Sequence, residues 1–253
     1  GKCDIAPSSP SLEMVADELR EAQALGELNV QVGHSATLEH LDFGIAPGHG
    51  YERAVGSGFF AGGRARQAFA YCLNRDALIP GYASAELPDS YLPAAHPLHA
   101  SDAAVYSFDP ARGRALLSGL GWTDSDGDGI LDKDGVPLKL TLAGGPVGNT
   151  FRETLLAHIQ SQLKDNCGIE TELRLLTRGE MEGDWADGVI FGRRFDLAEF
   201  GWRVGAVPPC ELFTTAQIPS SANPGGANDT GYSNPDFDAA CRALWLGADE
   251  RDL

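Results

Sequence analysis

The chain has 253 residues, 43% of them hydrophobic, with 31 glycines and 15 prolines, which is enough for one substantial core or two small ones. No apolar run is long enough to cross a bilayer as a helix. A net charge of -17, with the basic residues scattered singly or in pairs, opposes nucleic acid or an anionic membrane as partner.

In chain order, Ser11 reads as the N-cap of a helix ending at Gly26, with Leu12, Val15, Leu19, Ala22 and Leu25 on one face. "LNVQV" (28–32) and "ATLEHLDFGI" (36–45) read as strands. The stretch "GSGFFAGG" leads into a helix from about Arg64 to Ile79, closed by Pro80. The next segment, "PGYASAELPDSYLPAAHPLHASDAA", is rich in Pro and small residues. It is too long for a mere connection and is expected to cover or line something. "FDPARGRALLSGLG" is a helix with Asp109 as cap, Pro110 at the first helical position and Gly121 past its end.

The stretch "DSDGDGILDKDG" (124–135) invites a calcium reading, because Asp124, Asp126, Asp128 and Gly129 match the first half of an EF-hand loop. Position 12, however, is Gly135 where the closing Glu belongs, and a strand pattern follows where a helix is required. Asp-Gly pairs between short apolar residues are turn chemistry, so a hairpin is expected. The three aspartates stay as a minor cation candidate and no resident metal is expected. "LKLTLA", "NTFRETLLAHIQSQLKDNCG" and "IETELRLL" then form strand, helix and strand. The helix carries a capping box of Thr150 with Glu153, and the two strands are expected to be parallel. "RRFDLAEFGW" supplies a further strand, and Asn234 with Pro235 opens a last helix that buries Phe237, Cys241 and Leu244.

The five cysteines contain no C-x-x-C pair, so neither a zinc ribbon nor a thioredoxin-like motif is supported. Cys72 lies in an apolar helical pattern and reads as a buried free thiol, whereas Cys210 in a Pro-rich loop suits a bridge to Cys3, Cys167 or Cys241 in an oxidising compartment. The glycine-rich "GFFAGGRAR" lacks the G-K-[ST] ending of a phosphate loop, and "GSG" lacks the spacing of a nucleophile elbow. His96 and His99 are spaced for a metal but have no neighbouring Cys or Glu ligand, and His40 reads as a half-buried, hydrogen-bonded strand residue. The acidic group Glu180, Glu182, Asp184 and Asp187 around Trp185 reads as a solvated loop, and no catalytic constellation is found. Trp202 and Arg203 stand at the end of a strand, where ligands meet α/β sheets: an indole can stack on a ligand and a guanidinium can bind a carboxylate.

The ordered set "GKCDIA", "EHLDFGI", "RARQAFAYCLNRDALI", the block from Phe108 to Leu142, "HIQSQLKDNCGIETELRLL", "RRFDLAEFGW" and "TGYSNPDFDAACRAL" resembles the family 5 extracellular solute-binding proteins, the peptide/nickel-type receptors of ABC importers. The resemblance spans nearly the whole chain. It implies an α/β lobe like that of type II periplasmic binding proteins, a mixed sheet flanked by helices, with residues 1–253 as a single lobe. Both ends read as mid-domain, so the chain is expected to be most of the second lobe of a longer, exported, often lipid-anchored protein. A small solute or short peptide as ligand, an ABC permease as membrane partner, no cofactor, no catalysis and a monomeric state are likewise implied. The residues that match the family's pocket are Trp202, with Arg193 or Arg194 near the start of the same strand. Oligopeptide-binding members carry an Asp three residues after the Trp for the peptide amine, and here that position is Gly205. A sugar, opine or metal chelate would therefore fit as well as a free peptide. Arg203, the loop "VGAVPP" and the loop with His96 are expected to complete one wall of a cleft. The alternatives are a sensing receptor of the same fold that signals to a membrane partner, and a hydrolase built on Glu180 to Asp187.

Overall fold

Helical spacing after Val15 and alternation after Thr37 become α1 (Ala16–Ala24) and β1 (Thr37–Phe43) of the computed structural model. Residues 15–31, 37–78, 87, 88, 90, 92, 96, 98–203 and 209–249 are described. Gly26 ends the first helix with φ 75°, a left-handed value that glycine adopts at little cost. Ser11, the expected cap, lies outside the described residues. The strand expected at 28–32 is not formed over 28–31, and Val32 lies outside the described residues. Instead Val30 N donates to Gln23 Oε1 at 2.6 Å, so this segment folds back on the helix rather than joining a sheet.

Helix α2 (Gly63–Cys72) stops well before Ile79. Leu73 is extended, and Asn74 Oδ1 accepts Ala77 N at 3.3 Å to start a separate 3₁₀ turn over Arg75–Leu78. An Asn side chain that competes with the helix for backbone donors is a usual reason for such a break. Helix α3 (Pro110–Ser118) is capped as expected, with Asp109 Oδ1 accepting Arg112 N at 3.0 Å.

The Asp-rich stretch divides in two. Residues 124–129 form an exposed loop, and the expected hairpin follows it as β2 (Asp132–Lys133) and β3 (Val136–Pro137). Its turn is Asp134–Gly135, with φ of 53° and 76°, the pair of positive values that a two-residue hairpin turn demands.

Strand β4 (Lys139–Gly144), helix α4 (Thr150–Cys167) and strand β5 (Glu170–Leu175) make the expected parallel unit, with Leu140 opposite Thr171 and Leu142 opposite Leu173. The cap of α4 is Asn149, not Thr150: Asn149 Oδ1 accepts Arg152 N at 3.3 Å, and Glu153 reaches back to Gly148 N at 2.7 Å. A short helix α5 (Arg178–Met181), strand β6 (Leu197–Arg203) and helix α6 (Pro235–Asp249) complete the described elements. Asn234 caps α6 as expected, accepting from Asp236 N at 2.9 Å. The sheet order is β1-β6-β4-β5, with β6 parallel to β4 and antiparallel to β1, so the sheet is mixed.

Alternation along the strands splits the core between the two faces. Leu140, Leu142 and Leu197 pack with Phe60, Phe69, Leu117, Leu156 and Leu163 from α2, α3, α4 and the loop before α2, while Ala143, Ala198 and Phe200 pack with Leu176, Val189, Ile190 and Phe195. Arg53 fixes the entry to β6. Its Nε lies 3.0 Å from Asp196 Oδ1, Nη2 donates to Gly44 O at 2.7 Å, and Asp196 Oδ2 accepts Thr141 N at 2.8 Å.

Cys72 is not a free thiol. It bonds to Cys167 and ties α2 to α4 across the core, because Cys167 continues the face of Leu156, Ile159 and Leu163 toward the end of α2. Cys210 is bridged as expected, and its partner is Cys241, which links a 3₁₀ turn (Cys210–Phe213) to α6. Cys3 lies outside the described residues.

Candidate functional site

Strand β6 runs from the anchored Asp196 to Trp202 and Arg203, and its alternation puts Ala198, Phe200 and Trp202 on one face with Leu197, Glu199 and Gly201 on the other. The Trp202 indole is half-buried on an aromatic shelf: its centroid is 5.5 Å from Phe200, 6.4 Å from Phe191 and 6.4 Å from His40, the last nearly parallel at 14°. It therefore both closes the second core cluster and shows part of its surface at the strand end. Nε1 is buried without a hydrogen-bond partner. His40 is half-buried as expected, but neither ring nitrogen makes a hydrogen bond; Nδ1 lies 3.3 Å from Asp42 Oδ1.

Arg203 is exposed at the end of the strand, opposite Thr37, and alternation gives it to the face of Glu199 and Gly201 rather than that of the indole. Gly205 and the rest of residues 204–208 lie outside the described residues, as do residues 93–95 and 97 of the loop at 93–100. Within that loop, His96 Nδ1 accepts Leu98 N at 3.1 Å and His99 Nδ1 is 3.0 Å from Leu92 O, so both rings serve the loop's own backbone. Arg194 lies 3.9 Å from Asp187 with its side chain 41% exposed. Arg193 takes φ 53° and its carbonyl accepts Gly48 N at 2.8 Å, while burial lowers the pKa of its guanidinium. The described residues thus bring Trp202, Arg203 and His40 to one strand end and assign Arg194 and His96 to other contacts.

Glu180, Asp184 and Asp187 line an open depression of about 430 Å³ with Arg174, Trp185 and Val189; Glu182 does not. Three of the four acids in this group have structural partners: Glu180 closes a capping box with Thr177, Glu182 pairs with Arg178 at 3.1 Å, and Asp187 faces Arg194. Hydrogen bonds from Thr177 hold the Glu180 carboxyl below its usual range, the opposite of what a general acid needs. Asp124, Asp126 and Asp128 bring carboxylate oxygens within 4.8 Å of one another, all exposed. Those oxygens already accept backbone N–H groups, with Gly127 N to Asp124 Oδ1 at 2.8 Å and Ile130 N to Asp128 Oδ1 at 2.7 Å.

Four acidic residues on or beside β1 and β6 were not singled out by sequence reasoning. Glu39 is gripped by Arg152, with Nη2 to Oε1 at 3.0 Å and Nε to Oε2 at 3.2 Å, and Arg152 Nη1 donates to Gly145 O at 2.8 Å. Gly201 makes room for this pair, since a Cβ there would sit 2.8 Å from both Arg152 Nη2 and Glu39 Oε1. Glu199 is only 1% exposed, and burial followed by the charge of Glu39 raises its pKa well above the usual carboxylate value. On the opposite face Asp229 is also 1% exposed, raised by burial and then by Asp42. The signal in the sequence was an acid inside each strand pattern, Glu199 between Ala198 and Phe200, which alternation alone assigns to a solvated face.

Comparison with known proteins places this geometry in context. A sequence profile described as "Bacterial extracellular solute-binding proteins, family 5 Middle" matches residues 1–223. The oligopeptide-binding protein AppA of Bacillus subtilis is 27% identical over 186 residues, 69% of this chain and 31% of that protein. Among solved structures, AppA from Bacillus subtilis in complex with a nonapeptide superposes with a TM-score of 0.71 at 20% identity, over 92% of this chain and 45% of that one. NikA from Brucella suis in complex with Fe(III)-EDTA gives 0.69 at 19% identity, over 94% and 51%. NikZ from Campylobacter jejuni in complex with Ni(L-His) gives 0.64 at 19% identity, over 92% and 46%. The chain thus spans about a third to a half of the length of these relatives.

Proposed function

Because the chain belongs to the bacterial extracellular solute-binding proteins of family 5, we propose that it forms one lobe of a hinged receptor that binds a peptide or peptide-like solute and delivers it to an ABC permease. The observation that carries this reading is the position of Trp202 and Arg203. They end a strand that Arg53 anchors at its start, and the indole rests on Phe200, Phe191 and His40 with part of its face still open. A fixed aromatic surface binds apolar or planar groups at small entropic cost, and an exposed guanidinium at the same strand end suits a carboxylate. Gly205 offers no side chain to a peptide amine, so this lobe holds its ligand through stacking and carboxylate contacts. Binding then shifts the receptor toward a closed state in which both lobes touch the ligand, and no chemical step is needed.

The two disulfides suit an oxidising, extracytoplasmic setting, and the charge of -17 suits a monomer that avoids nucleic acid and anionic surfaces. The test is a thermal-shift screen with short peptides, oligosaccharides and metal chelates, run on this chain and on the longer receptor proposed here. One ligand class raising the melting temperature of the receptor and leaving the lobe unmoved is the expected result. An equal shift in the lobe alone would mean that its site is complete by itself and that the half-cleft reading is wrong.

A further inference from the structure

We propose that the ribbon of β1 and β6 is a proton-binding element, holding one proton between Glu39 and Glu199 on one sheet face and a second between Asp42 and Asp229 on the other. The ordering of the strand that carries Trp202 then depends on pH.

The argument starts from what the buried carboxyls face. Neither oxygen of Glu199 finds a hydrogen-bond donor, and the group it meets is the carboxyl of Glu39 two residues along the partner strand, since Glu199 is opposite Leu41. Asp42 Oδ2 and Asp229 Oδ2 are likewise buried without a donor and face each other. A buried carboxyl turned toward a second carboxyl is stable when one of the two carries a proton and donates it to the other, and a second charge there is disfavoured. The other charged groups do not change this. Arg152 packs from α4 on Glu39, is shared with Gly145 O and pulls Glu199 toward its ionised form, but burial and Glu39 outweigh it; His40 is on the Asp42 side at 3.3 Å, and Arg53 is taken by Asp196 and Gly44 O. Asn228 and Thr230 flank Asp229, and the backbone N–H of Thr230 favours its ionised form, but burial and Asp42 outweigh this.

Glu199 and Asp229 are raised in the folded state, so their contribution to stability is full below the ordinary carboxylate range and is lost as pH rises toward their folded values. Within that window each retained proton lowers the folding equilibrium constant about tenfold per pH unit. An amide mimics the protonated acid, so Glu199→Gln and Asp229→Asn should each flatten the decline.

The experiment is the melting temperature of the chain as a function of pH, without ligand, for the wild type, Glu199→Gln and Asp229→Asn. The expected result is a wild-type decline as pH rises from the ordinary carboxylate range to alkaline values, with Glu199→Gln the more stable form at the alkaline end. An unchanged pH slope in both variants would overturn the proposal. If a variant fails to fold, infrared spectroscopy of the wild type at neutral pH decides instead: bands of protonated carboxylic acids support the proposal and their absence overturns it. None of these readouts involves a solute, so the result is separable from the receptor reading.

Discussion

Replacing both Cys72 and Cys167 by alanine removes the only covalent link between α2 and α4 among the described residues, and the cost follows from how much chain the bond closes. The two cysteines are 95 residues apart in sequence, and cross-linking a loop of that size restricts the unfolded chain by about 4.7 kcal/mol. Both sulfurs are fully buried, so their removal also leaves a small void worth about 1 kcal/mol. For a chain of this size each kcal/mol lowers the melting temperature by roughly 2–4 °C, so the double variant should melt roughly 10–20 °C below the wild type. The Cys210–Cys241 bond closes only 31 residues and predicts about 3.7 kcal/mol, a smaller loss. Urea unfolding of the two double variants beside the wild type measures both. A loss under about 1 kcal/mol for the Cys72/Cys167 variant, or a larger loss for the Cys210/Cys241 variant, would refute the loop-closure reasoning.

Gly113 lies where α3 crosses that same bond, and a Cβ there would sit 2.6 Å from Cys72 Sγ and 3.0 Å from Ala68 O. Gly113→Ala should therefore destabilise by about 1–3 kcal/mol despite alanine's better helix propensity, as urea unfolding would record. A stability limit is also expected at the acid end. Asp132, Glu180 and Asp238 are held below their usual carboxylate values by hydrogen bonds from Ser125, Thr177 and Thr215. Lowered folded values mean that this stabilisation is present above the ordinary carboxylate range and fades as pH falls through the folded values. Ser125→Ala removes the hydroxyl donor and leaves the Ser125 backbone N–H on Asp132, so it should make the acid limb of a melting-temperature profile only partly shallower.

Elements whose signals are local were legible in the sequence, and those set by tertiary pairing were not. Asp109 with Pro110 marks the start of α3, and Asp134-Gly135 marks the β2–β3 turn, because in each case the chemistry lies within a few neighbouring residues. The end of α2 was missed because Asn74 takes a backbone donor that the apolar pattern around it does not reveal. Cys72 looked like one more apolar residue of a helical face, and only the approach of α4 gives it a partner. At the candidate site, Trp202 and Arg203 were legible from their place at a strand end. The burial of Glu199 was not: the same alternation that sets its face is silent on whether that face is covered, and the helix on that side, α4, which brings Arg152 to Glu39, lies far away in sequence.

The most direct test of the receptor reading is native mass spectrometry of the proposed two-lobed protein incubated with an equimolar pool of short peptides, beside its Trp202→Ala variant. The account predicts a one-to-one complex with a subset of the pool, and loss of that complex in the variant while circular dichroism shows the variant, less stable for want of a half-buried indole, still folded. A complex that survives Trp202→Ala undiminished would contradict the account.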